Sequence, residues 1–157
     1  MKKTLLLLII LIVFGMIVIG CSDVTEQIQQ FSDYWGILYP PNITCTQSES
    51  FTTYCKIYIK DVTDAIGPGA NINVQFGMGP YGTDGSKDMN WTWTVSSFNM
   101  DQGNMDEYKT AINSSTPGNY SYSYRFSYSG NSWLYVDIDG SDNGYSVNKQ
   151  GYLTVLP

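Results

Sequence analysis

The stretch from Asn119 to Tyr128 reads Asn-Tyr-Ser-Tyr-Ser-Tyr-Arg-Phe-Ser-Tyr, and it restricts the fold more than any other. In an extended chain Tyr120, Tyr122, Tyr124, Phe126 and Tyr128 share one face, and Ser121, Ser123, Arg125 and Ser127 share the other. Alternation of this kind belongs to a strand, since a helix would scatter the aromatics around its circumference. Tyr and Phe also favour strands. The segment is a strand with an aromatic face that needs covering.

The same period recurs along the chain. In "NINVQFGM", Ile72, Val74 and Phe76 alternate with Asn73 and Gln75; in "WTWTVSSF", Trp91, Trp93 and Val95 share a face. "ESFTTYCKIYIKDV", "YKTAIN", "SWLYVDI" and "GYLTVL" carry related patterns, and "TDAIGPGAN", "GPYGTDGSKDMN", "NMDQGNMDEY" and "STPG" punctuate them as turns. About eight short strands at such spacing predict an all-β fold, an immunoglobulin-like antiparallel β-sandwich over residues 34–157. No helix of useful length is expected there.

The N-terminus belongs to a different argument. Met1-Lys2-Lys3 precedes an unbroken apolar run from Thr4 to Gly20, and Val18-Ile19-Gly20-Cys21 resembles the lipobox of bacterial lipoproteins. That resemblance implies a signal peptide over 1–20, cleavage before Cys21 and acylation of Cys21. A polar lipidated tether over 21–33 would then hold the domain outside the cytoplasmic membrane, in the bacterial cell envelope. An uncleaved apolar anchor is the alternative.

Cleavage would remove Lys2 and Lys3, leaving 6 basic residues against 14 acidic ones and a net charge of −8. With Arg125 the single arginine, the clustered cations that phosphate backbones require are missing, which excludes nucleic acid as a partner. The remaining cysteines, Cys45 and Cys55, flank "TQSESFTTY". In an extracytoplasmic chain this predicts a disulfide across a hairpin. A zinc site is disfavoured, because the chain contains no histidine.

Histidine's absence also removes the commonest general base and the usual nucleophilic triads. The acids, including Asp106 and Glu107, fall in stretches that read as turns, where carboxylates are usually solvated or bonded to backbone amides. The expectation is a protein without catalytic activity. Arg125 is expected to bridge to Asp106 or Glu107.

For binding, the informative segment is "SWLYVDIDGSDNGYS", Ser132 to Ser146. Aromatic rings stack on the apolar faces of pyranoses, while amides, carboxylates and hydroxyls bond the ring edges. Trp91, Trp93, Trp133, Tyr135 and Tyr145 are therefore candidate ligand contacts, with Asp137 and Asn143 as polar partners. Core packing is the competing reading of each tryptophan. Asp139, Ser141 and Asn143 imitate the first half of a calcium loop, but Gln150 stands where a closing Glu is needed. A capped turn, with Gly140 and Gly144 supplying positive φ, accounts for the same residues. Structural calcium is the one cofactor the sequence raises.

From Trp35 onward, "LYPPNIT", "WTWTVSSFN", "NMDEYKTAI", "PGNYSYSYRFSYSG", "SWLYVDIDGSDNGYS" and "GYLTV" follow in order. This succession resembles an accessory β-sandwich module of bacterial lipoproteins and secreted multidomain proteins. It is similar, more distantly, to starch-binding modules. The resemblance implies a non-enzymatic accessory sandwich; with the aromatic candidates above, the expected function is binding of a polysaccharide or other surface polymer. A structural or protein-interaction domain is the alternative. Cys45 and Cys55 depart from the closer module, which often lacks cysteines.

Overall fold

The computed structural model describes residues 33–113, 116–140 and 144–157. The predicted signal peptide, Cys21 and the tether up to residue 32 lie outside the described residues, as do Ser141 and Asn143. Tyr34–Pro157 forms a compact unit of its own. It is an all-β sandwich.

Among the described residues ten strands build it, two more than the eight or so expected from sequence: β1 (Tyr34–Tyr39), β2 (Asn42–Thr46), β3 (Ser50–Ile59), β4 (Ile72–Pro80), β5 (Thr92–Val95), β6 (Ser97–Gln102), β7 (Met105–Asn113), β8 (Gly118–Tyr128), β9 (Leu134–Val136) and β10 (Gly151–Leu156). One sheet has the order β1-β3-β7-β6. The other runs β2-β10-β8-β4-β5, with β9 also paired to β8. Pairing is antiparallel except between β2 and β10, which run parallel.

Each sheet turns its apolar alternate positions inward. Leu38, Cys55, Ile57, Ile59 and Tyr108 from the first sheet meet Cys45, Val74, Phe76, Tyr122, Tyr124, Phe126, Leu153 and Val155 from the second. The aromatic face of β8 is thus the centre of the core. Burying so many rings and branched chains supplies the main driving force for folding. Tyr124 keeps its hydroxyl satisfied within this core by a 2.8 Å bond to Thr53 Oγ1 from the facing sheet. Along one margin the sheets are joined by backbone, Leu38 N–H donating to the Asp137 carbonyl at 3.0 Å.

Three local expectations are corrected. Cys45 and Cys55 do not face each other across a hairpin: β2 and β3 belong to different sheets, and both cysteines are buried free thiols. Burial pushes both thiols above their ordinary pKa, Cys55 far more strongly. The "WTWTVSSF" segment is not one strand either. It changes sheets after Val95, so β5 pairs β4 while β6 pairs β7. Asp106 and Glu107 lie within β7 and are buried, rather than solvated in a turn.

Candidate functional site

The outer face of the second sheet has a floor of small residues. Across it, Gly77 pairs with Ser123 and Gly79 with Ser121, between the flanking strands. Serines on a solvated face would be wet, yet Ser121 and Ser123 are fully buried. An aromatic layer covers them. Trp93, opposite Gly77 in register, lies so close that a Cβ on Gly77 would meet its ring at 2.5 Å. Trp91 lies equally flat on Gly79, where a Cβ would come within 2.3 Å.

From these two indoles the layer continues as a band. Trp91 stacks on Trp93 with ring centres 5.7 Å apart and planes at 25°. Trp93 meets Tyr135 edge to face at 5.6 Å, and Tyr135 contacts Tyr145 at 5.6 Å. Such geometries suit the quadrupoles of aromatic rings. Trp133 joins through Arg125, whose guanidinium carbon lies 4.1 Å from the centre of the Trp93 ring and 4.4 Å from that of Trp133. Arg125 makes no bridge to Asp106 or Glu107. Its Nε and Nη2 donate instead to Gln75 Oε1, at 2.9 and 2.6 Å.

All five aromatic candidates therefore gather on the face opposite the main core, though with unequal exposure. Trp91 is 6% exposed; the loop between β4 and β5 folds over it, and its indole N–H donates to Thr83 Oγ1 at 2.8 Å. Trp93, Trp133, Tyr135 and Tyr145 are half-buried and share the rest of the band. The Tyr145 hydroxyl accepts the Gly85 N–H at 3.2 Å, tying the same loop to the segment after β9. Burial raises the Tyr145 hydroxyl above its usual pKa, so it stays neutral.

Asp137 supports this arrangement from below. It is 4% exposed; one carboxylate oxygen accepts the Asp139 N–H at 3.2 Å and the other the Ser146 N–H at 3.0 Å. Burial, reinforced by the neighbouring Asp139, pushes its pKa up to about 6. Its carboxylate thus fixes the course of the loop that carries Tyr145. Asp139 pairs with Lys149. Among the described residues no three His, Cys, Asp or Glu side chains converge as metal ligands. Asn143 and Ser141, the other polar and calcium candidates, lie outside those residues.

Four contributors were not read from the sequence as parts of this site. Gly77 and Gly79 make the floor, and the signal for them is small residues at alternate positions of "FGMGP", matching the serines of β8. Thr83 caps the Trp91 indole. Gln150, fully buried, donates through Nε2 to the carbonyls of Thr83 at 2.9 Å and Val147 at 3.0 Å, joining the two loops. A separate groove of about 420 Å³, lined by residues including Met78, Tyr81, Asn90 and Tyr120, includes none of the predicted contacts. Tyr81 and Asn90 come from "GPYGTDGSKDMN", read above only as a turn. No family model matches this chain, and no curated protein matches it.

Proposed function

We propose that the domain is a non-catalytic binding module of the bacterial cell envelope, held at the membrane by lipid on Cys21, that grips a glycan or related surface polymer. The observation that carries this reading is the half-exposed band of Trp93, Trp133, Tyr135 and Tyr145 around Arg125. Rings already held by neighbours lose little side-chain freedom on binding, so contact with a pyranose face converts more fully into affinity. The packed floor beneath them keeps the platform rigid. The lipobox resemblance and the more distant likeness to starch-binding modules, both read from sequence, support a platform that meets envelope polysaccharides.

The test is retention of the full chain, purified in detergent, on insoluble polysaccharides and a glycan array, beside a Trp93→Ala/Trp133→Ala variant. Wild-type retention and a loss of about tenfold or more in the variant, roughly 1.4 kcal/mol, are expected. Absence of retention on every polymer would leave the protein-interaction domain as the better account. In the same cells Cys21→Ser should move the chain from the membrane to the soluble fraction; a chain that stays in the membrane uncleaved points to the apolar anchor.

A further inference from the structure

We propose that the glycan is acidic, and that Arg125 selects it by taking a uronic-acid carboxylate; this rests on the binding reading above. Arg125 is the only arginine in a chain of net charge −6. It stands on the outer face of β8, paired in register with Gln75 on one side and Tyr135 on the other. Its guanidinium lies between the rings of Trp93 and Trp133, which fixes its plane.

A guanidinium carries five N–H donors. Gln75 takes two of them along the side that joins Nε to Nη2. Three remain, and they include the end-on pair, one N–H from Nη1 and one from Nη2. That fork matches the two oxygens of a carboxylate. No carboxylate among the described residues pairs with Arg125. The indole faces and the amide oxygen stabilise the cation without neutralising it. A half-buried positive charge attracts an anion more strongly than one in open water, because the surrounding rings exclude solvent.

The ligand must satisfy both halves of the site. Tyr135, the register neighbour of Arg125, and Tyr145 in contact with it add aromatic surface suited to a sugar ring. A uronic acid carries the ring and the carboxylate in one residue. The net negative charge of the chain works against loose adhesion of polyanions, so an acidic polymer needs this specific contact to be held.

The decisive measurement compares oligouronides of several stereochemistries with the same oligomers after reduction of each carboxyl to an alcohol, by titration calorimetry on the full chain in detergent. At least one oligouronide should bind tenfold or more tighter than its reduced form. Arg125→Gln, at an unchanged melting temperature, should erase that preference. Trp93→Ala should weaken both forms. If reduced and acidic forms bind equally, or Arg125→Gln keeps the preference, Arg125 is only a packing residue and the proposal fails. Polyphosphate binding as tightly as the best oligouronide would make this a bare oxyanion site, which also overturns it. Retention of neutral polysaccharides with no response to any oligouronide removes the acidic ligand but leaves the binding module; no retention on any polymer removes the module as well. The wild-type comparison needs no variant, so a misfolded Arg125→Gln does not blunt the test.

Discussion

At Asp137 two physical demands oppose each other. Both carboxylate oxygens accept backbone N–H groups, which favours the anion. Burial and the neighbouring Asp139 favour the acid, and they prevail, with the pKa pushed up to about 6. The folded state therefore holds this proton more tightly than the unfolded chain, whose Asp titrates at about 3.9. Asp137 contributes most to stability at low pH, and its contribution falls as pH rises from about 4 to about 6. Asp139→Asn removes the repelling charge, so the Asp137 midpoint should drop and the decline should flatten. Carboxyl-carbon NMR titration reads the midpoint and melting curves between pH 4 and 7 read the stability. The lost Lys149 ion pair is partly solvent-exposed and should matter little. An unmoved midpoint would mean that burial alone sets the shift. None of this was legible beforehand: Asp137 looked like a polar rim group because its bonds run to Ser146, whose position depends on how the loop returns.

Among elements, β4 shows most directly how sequence becomes platform. Its inward residues Val74 and Phe76 build the core, while outward Gly77 and Gly79 let two indoles lie against the backbone. Gly79→Ala should destabilise more than Gly77→Ala. The Trp91 ring over Gly79 is pinned by its loop and by Thr83, so an added methyl meets a partner that cannot yield, at a cost of about 1–3 kcal/mol. Trp93 is half-exposed and can swing outward, so Gly77→Ala should instead loosen the platform. Denaturant unfolding reads the first difference; near-UV circular dichroism and glycan retention read the second. Equal stability losses would show that both rings are equally fixed. The alternation of β8 and β4 announced the strands and the core face, because period two survives any tertiary arrangement. It could not announce that the sheet's second face would also be covered, since that needs β5 and β9 to arrive from either side. Cys45 and Cys55 misled for the same reason: a turn joins β2 to β3, but tertiary pairing sends the strands to different sheets.

Across the whole sandwich, closure depends on the last strand. β10 lies between β2 and β8, antiparallel to β8 and parallel to β2, and among the described residues it is the only strand partner of β2. Leu153 and Val155 are buried in the core, and Gly151 sits where a Cβ would come within 2.3 Å of the Tyr122 ring. Final assembly thus waits on pairings far apart in sequence, which are slow to form. Removing residues 151–157 takes away two buried aliphatic side chains, strips β2 of its ladder and uncovers one side of β8 from Gly118 to Tyr122. Two large apolar truncations alone cost several kcal/mol, a substantial part of the roughly 5–15 kcal/mol that holds a small domain together. The shortened chain should therefore lose its cooperative thermal transition and the dispersed amide spectrum of a folded sandwich. A milder change, Leu153→Ala, should keep the transition but lower its midpoint, because β2 and β8 would still have their partner. If the truncated chain melts as sharply as the intact one, the sheet must re-form by direct pairing of β2 with β8, and β10 would be a dispensable insertion rather than the strand that completes the fold.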